Sequence, residues 1–463
     1  MPSPSTFAQA MVPKGASLLR ASQAKITRLS LDHIYSLGQC AQTANHRTAT
    51  LKLSAQFLHR ELPARLYQNV TLLQTNKWKS VVEQSPILQS LGERFADDIY
   101  LVTGLESPAS GATLAKFLDT VRRLQHRHWD HMVLARRGVQ QVVDQARKRR
   151  SYNSHSYLAR QARKSETLVN QFFDTLYTIS FGNQFLMSEY TFLAEHGRNL
   201  VQRTRPTQVV EQVITQVKRA GVQLLQTSLN RGKSKQSPVH QLAQLIPDIK
   251  VVGCNPNISI LHIEPYVASI LYTLLFNALH TTIRRHCSQF MNQTATESLD
   301  TTVRYPKPPA ITVTVIGGSE DVCFKVSDEG GGISLSKMSR IWDHVKETPA
   351  VTTPANHSSS STAESPYHSL SKLAQPPSLS SMPFWKNNSF DLPLARLVAR
   401  YFGGDLSLVS MEGHGTDAYL HLLRRKSLTE TLPELYPTAM ASPHSAWPVA
   451  DDILARQATK AKF

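Results

Sequence analysis

Between about residues 30 and 200, apolar positions recur at i, i+3, i+4 and i+7. The stretches "TATLKLSAQFLHRELPARLYQNVTLL" and "ETLVNQFFDTLYTISFGNQFLMSEYTFLAEHG" carry this spacing, and strand-like alternation is missing. Several amphipathic helices in succession predict a helical bundle over residues 32–200. One interruption, "RKRR" at 147–150 followed by "SYNSHSY" and "RQARK", is too polar for a core. It reads as a solvated loop or helix extension, with docking to an acidic partner as the alternative.

From about Pro206 the periodicity changes. "TQVVEQVITQVKRAGVQLLQ" is still helical, whereas "ISILHIE" (258–264), "ITVTVIG" (311–317) and "DVCFKVSD" (321–328) are β-branched and partly alternating, as strands are. "GGSE" makes the last two a hairpin. A helix over 266–287 precedes them. "LPLARLVARYF" reads as another helix, followed by a strand pair, "DLSLVSM" and "AYLHLLRR", joined by "EGHGTD". Helices alternating with hairpins predict a two-layer α/β domain over 205–425, so the fold class is α followed by α/β. Residues 345–389, rich in Ser, Thr and Pro, read as a low-complexity insert in this domain, and residues 426–463 as an irregular tail.

Composition refines this picture. A chain of 463 residues with 41% hydrophobic content can bury two or three cores. The net charge of +17 suits acidic proteins, nucleic acid or anionic membranes equally. The four cysteines, Cys40, Cys254, Cys287 and Cys323, form no C-x-x-C pair and suggest neither a zinc knuckle nor a disulfide framework. No apolar run approaches the roughly 18 residues of a membrane span. Residues 1–31 contain Lys14, Arg20, Lys25 and Arg28 but no acidic residue before Asp32, with an apolar segment at helical spacing. That is the composition of a mitochondrial import peptide.

The stretch "SDEGGGIS" (327–334) poses the chemical question. Asp328 ends a strand, and Gly330, Gly331 and Gly332 follow. A carboxylate there can accept from an exocyclic amine, while residues without Cβ admit a flat ring or phosphate to the backbone. Alone, an Asp–Gly turn after a strand is most often just a turn. On the preceding helix, however, Asn277 is an amide in an apolar run, able to ligate a hard cation such as Mg²⁺. Gly413, Gly415 and Thr416 then occupy a turn between strands. Asn, Asp-x-Gly-x-Gly and Gly-x-Gly-Thr, in that order on an αββ framework, are far more specific than any part.

These residues resemble the GHKL-type ATP-binding fold, and within it the mitochondrial kinases of pyruvate dehydrogenase and branched-chain α-ketoacid dehydrogenase. "SILYTLLFNALHTTIRRH" is similar to that family's Asn-bearing helix, "VSDEGGGIS" to its glycine loop, and "LPLARLVARYFGGDLSLVSMEGHGTDAYLHL" to its last helix and strand pair. "LSAQFLHRELPARL" and "FFDTLYTISFGNQFLMSEY" resemble two of its bundle helices. The resemblance implies an ATP- and Mg²⁺-dependent protein serine kinase of the mitochondrial matrix. It implies that Asn277 holds Mg²⁺ and the phosphates, that Asp328 accepts from the adenine amine with Gly330 and Gly332 lining the base, and that Gly413, Gly415 and Thr416 close its far side. It also implies docking to the catalytic subunit and the lipoyl-bearing core of an α-ketoacid dehydrogenase complex, and a homo- or heterodimer with a family kinase. Neither nucleic acid nor a membrane span enters this picture.

Two departures stand out. The family's general-base Glu lies one helical turn before the Asn, and here that position is Thr273, on the same helix face but without a carboxylate. The lid glycines are replaced by Asn387, Ser389 and Asp391. An active kinase, a catalytically impaired partner of an active kinase and another ATP-binding regulator all remain open. A histidine kinase would use Glu195-His196, which sits poorly at a helix end before Gly197. His126, His128 and His131 in "HRHWDHMV" read first as solvated residues, then as a docking surface, and last as metal ligands.

Overall fold

The computed structural model describes residues 16–42, 44–152, 156–230, 245–253, 257–294, 307–344, 392–424 and 429–433. The insert at 345–389, the lid positions Asn387, Ser389 and Asp391, and the tail beyond Pro433 lie outside these residues. The chain divides into two compact units. One comprises residues 1–202 together with 427–463, and the other residues 203–426.

The first unit is helical. α1 covers residues 16–23. It is followed by α2 (Leu31–Gln42), α3 (Ala44–Gln74), the single turn α4 (Lys79–Val82), α5 (Pro86–Thr103), α6 (Gly111–Tyr152) and α7 (Ser156–His196). The periodic apolar positions become the core: Leu62, Leu91, Phe95, Val121, Phe172, Leu176 and Phe185 are each at most 1% exposed. Each such side chain contributes about 1.5–3 kcal/mol relative to exposure. α5 begins where Ser85 caps Leu88 N and Pro86 needs no amide partner, and it stops at Gly104. α6 runs through the basic stretch at 147–150, so that stretch is a helix extension.

The polar residues of α6 do not all face solvent. His128 and His131 are 1% and 2% exposed, against the expectation of solvated residues. His128 Nε2 meets the Ser180 carbonyl at 3.1 Å, and His131 Nδ1 lies 3.4 Å from Asp98, which Arg127 also reaches at 2.9 Å. Burial holds both imidazoles neutral, at about 4 for His128 and about 3 for His131, and raises Asp98 to about 7. Among the described residues no group of His, Cys, Asp and Glu could hold a metal ion.

Residues 27–30 and 429–430 meet inside this unit. Arg65 on α3, 1% exposed, donates to Glu61 at 3.0 Å, to both carboxylate oxygens of Glu430 and to the Thr27 carbonyl at 2.6 Å. Glu61 accepts from Thr27 N at 2.8 Å, and Glu430 accepts from Leu29 N and donates its own amide to Leu29 O, each at 2.9 Å. Ser30 and Thr429 form an antiparallel bridge. Leu29 and Leu31 are buried, so residues 27–31 of the expected import segment are packed into the bundle, and Glu430 of the expected irregular tail is packed with them.

The second unit begins with α8 (Pro206–Asn230), whose entry follows the short strand β1 (Val201–Thr204). Its strands are β2 (Ile249–Val252), β3 (Ile260–Ile263), β4 (Ile311–Gly317), β5 (Asp321–Asp328), β6 (Asp405–Met411) and β7 (Gly415–Leu423). Its helices are α9 (Glu264–Thr294), the turn α10 (Leu335–Met338) and α11 (Leu392–Tyr401). Five strands form one sheet in the order β2-β4-β5-β7-β6, with β2 parallel to β4 and the other pairs antiparallel. Alternation puts Val313, Val315, Val322, Phe324, Val326, Leu420 and Leu422 on the inner face, where α9 covers β5 and α11 covers β6. α8 packs in turn on α9.

Against the sequence expectation, one stretch, residues Glu264–His286 of α9, is long and apolar enough by length and composition to cross a membrane. Its window is 78% buried within the protein, because it is the helix that both the sheet and its neighbours pack upon.

Removing one partner from a buried ion cluster leaves the others uncompensated. Glu430→Ala should therefore destabilise the bundle by about 3 kcal/mol, read as a lowered denaturant midpoint of the helical signal.

Candidate nucleotide site

α9 carries Thr273 and Asn277 one turn apart. Thr273 is 5% exposed, and its hydroxyl donates to the Ser269 carbonyl at 3.0 Å, a bond that turns it back onto its own helix. Asn277 is half-buried, and its amide has no protein partner among the described residues. One turn further, Thr281 donates to the Asn277 carbonyl at 2.9 Å and packs so closely on Gly330 that a Cβ there would collide with it. The helix thus brings Asn277 to the glycine loop.

β5 ends at Asp328, paired with Thr416 on β7. One carboxylate oxygen accepts from Gly330 N at 2.7 Å, closing a tight turn. Burial raises the carboxyl to about 6, and bonds from the Gly330 and Thr416 amides work against that rise. Asp328 is therefore ionised at neutral pH and protonated in mild acid.

The glycines serve two purposes. Gly331 and Gly332 have φ of 96° and 68°, which disfavours any side chain. A Cβ on Gly332 would strike the Met411 carbonyl, and one on Gly415 the Asp328 carbonyl, so these two residues let loop and turn close on each other. Among the described residues Gly413, at φ 85°, instead has nothing within 4 Å of a Cβ position. Loop and turn are joined by Gly331 N to His414 O at 3.1 Å and Gly413 N to Gly331 O at 2.8 Å. Thr416 shares a 2.8 Å hydroxyl contact with Ser410, whose oxygen also accepts from Ile333 N at 2.8 Å.

Asp328, Gly330, Gly332, Gly413, Gly415 and Thr416 thus lie in one neighbourhood of the second unit, with Asn277 one turn from the Thr281 that packs on Gly330, while the lid positions lie outside the described residues. Sequence reasoning missed Thr281 and Arg285, which tie α9 to the loop. Arg285 reaches the carbonyls of Glu329, Gly413 and His414. Its place in "TTIRRH" reads only as a basic helix end.

The geometry agrees with comparisons to known proteins. Residues 28–216 match the family model described as mitochondrial branched-chain alpha-ketoacid dehydrogenase kinase. Residues 287–426 match the model for histidine kinase-, DNA gyrase B- and HSP90-like ATPases. Asp328 and the glycines lie within the second match, while Thr273 and Asn277 lie between the two. The mitochondrial [pyruvate dehydrogenase (acetyl-transferring)] kinase of Arabidopsis thaliana is 26% identical over 88% of this chain and 93% of its own length. Isozyme 3 of Homo sapiens is 26% identical over 87% of this chain and 85% of its own. The Schizosaccharomyces pombe kinase reaches 33% over a shorter region, 40% of this chain and 36% of its own. With part of the helical unit matched by one model, part of the ATPase unit matched by the other and kinase relatives spanning both, the chain is similar along most of its length to the mitochondrial pyruvate dehydrogenase and branched-chain α-ketoacid dehydrogenase kinases, with the GHKL ATP-binding fold.

Proposed function

We propose that this chain binds ATP in the second unit and acts in mitochondria, in the matrix, as a kinase-family regulator of an α-ketoacid dehydrogenase complex. The observation that carries the reading is Asp328: a half-buried carboxylate at a strand end, with one oxygen fixed by the glycine loop and, beside it, Gly413 with no described residue within 4 Å of a Cβ position. Such a group can recognise an exocyclic amine such as that of adenine. Asn277 fits one position around Mg²⁺, since among the described residues its side-chain amide has no partner and its oxygen is a hard ligand. Mg²⁺-ATP would supply the transferable phosphoryl group, and the chain's own residues orient it. The relatives are named as kinases of pyruvate dehydrogenase, which supports that dehydrogenase as the target, and the lipoyl-bearing core as platform follows from the family resemblance alone. On the edge strand β6, Val409 and Met411 are exposed at 61% and 67%, apolar positions suited to pairing with the same or another family chain.

A second reading, of a member impaired in phosphoryl transfer, is favoured by Thr273. At the position where the family resemblance implies a general-base Glu, a buried hydroxyl is committed to the Ser269 carbonyl and cannot accept a proton near neutral pH.

Three outcomes follow. Mg²⁺-ATP should raise the melting temperature of the wild type and not that of Asp328→Ala; no shift in either overturns the nucleotide reading. The ATP affinity should fall roughly tenfold between pH 7 and pH 5 as Asp328 is protonated through about 6, and Asp328→Asn should abolish that dependence. Phosphate incorporation into a purified dehydrogenase catalytic subunit should be slow and should rise about 10²- to 10⁴-fold in Thr273→Glu. Wild-type turnover matching an ordinary relative would sink the impaired reading and leave the active one.

A further inference from the structure

Arg285 lies two turns beyond Asn277 on α9, at the edge of the nucleotide cradle. Its Nη1 donates to Glu329 O at 3.1 Å and to His414 O at 2.6 Å, and its Nη2 donates to Gly413 O at 2.7 Å. The three carbonyls belong to two separate loops, the one after β5 and the one between β6 and β7. The arginine stem also lies over the glycine loop, with Cδ 3.4 Å from where a Gly331 Cβ would be.

We infer that Arg285 is a positioning residue for the nucleotide: it straps the Asp328–Gly332 loop to the Gly413–Thr416 turn and so holds the wall against which the base rests. This inference rests on the nucleotide reading above. Gly413 shows why a strap is needed. It has no side chain, and among the described residues nothing lies within 4 Å of where a Cβ would be, so its peptide groups are what the surrounding residues hold. Its amide is bound by Gly331 O, and its carbonyl by Arg285. The His414 carbonyl accepts from both Gly331 N and Arg285. Without the guanidinium, the two loops would be held here by a pair of backbone bonds in a partly exposed place, where local opening is frequent. A planar fork is suited to the task, since two nitrogens at fixed separation reach the carbonyls of consecutive residues; a lysine ammonium reaches them as a single point. The guanidinium is directed at protein carbonyls, so Arg285 acts on the base side of the site through Gly413 and Asp328 and not as a phosphate ligand.

The experiment compares wild type, Arg285→Ala, Arg285→Lys and Asp328→Ala as full chains. It measures Mg²⁺-ATP binding by titration calorimetry, the melting temperature without nucleotide, and amide exchange over residues 329–332 and 412–416. Arg285→Ala should bind Mg²⁺-ATP about tenfold more weakly and exchange faster at both loops, with the nucleotide-free melting temperature close to wild type. Arg285→Lys should recover part of the affinity. Wild-type affinity in Arg285→Ala, with Asp328→Ala still defective, overturns this inference and leaves the nucleotide reading standing. An affinity loss that merely tracks a lowered melting temperature, without recovery by lysine, marks a purely structural arginine and also overturns it. Absence of ATP binding in the wild type removes the nucleotide reading, and this inference with it.

Discussion

In the second unit, two stretches of main chain approach each other with no room for a side chain between them. The Asp328 carbonyl occupies the place of a Gly415 Cβ, and the Met411 carbonyl that of a Gly332 Cβ. Everything chemical in the site follows from this closeness. It brings the ends of β5 and β7 into register at Asp328 and Thr416, half-buries the Asp328 carboxylate and leaves no described residue within 4 Å of a Gly413 Cβ position. Glycine here serves first as a condition of loop closure and only second as a means of admitting a ligand. The same motif can therefore persist in a chain whose phosphoryl chemistry has changed.

Local pattern made much of this legible. The strands Ile311–Gly317 and Asp321–Asp328 match the sequence reading residue for residue, because β-branched alternation with a turn between has few competing interpretations. Strand β2 was missed: four residues, all at least partly exposed, at the sheet edge, carry no burial pattern and owe their state to parallel pairing with β4. His128 and His131 were read as solvated because two polar side chains on a polar helix give no sign of the Ser180 carbonyl or the Asp98 carboxylate awaiting them from other helices. Asn277 and Asp328 stood out in the sequence because their order and spacing form a motif. Arg285 did not, since its partners are backbone carbonyls 44, 128 and 129 residues away, which no residue identity announces.

The helical unit concentrates its polar atoms in places where a hydrophobic residue would pack as well. Glu189, 2% exposed, accepts from Leu200 N at 3.0 Å, and burial raises it to about 8, so it is mostly protonated at neutral pH. Asn199 lies against Gly38, where any Cβ would collide with its amide, and donates to the Ile34 carbonyl. Buried groups of this kind seldom add net stability, but each tolerates few alternative arrangements, so together they select one packing of the helices.

The contact between Arg65 and Glu430 spans 365 residues of sequence. During synthesis, the helices of the first unit leave the ribosome early, yet until the whole second unit has been made Arg65 has only Glu61 and the Thr27 carbonyl of this cluster as partners. The sheet-bearing unit is in effect an insertion between the bundle and the piece that completes it. Closing so distant a pair is slow, so the second unit has time to fold first, and the bundle is finished last, when the returning strand brings Glu430 back to an arginine that has waited since the beginning of translation.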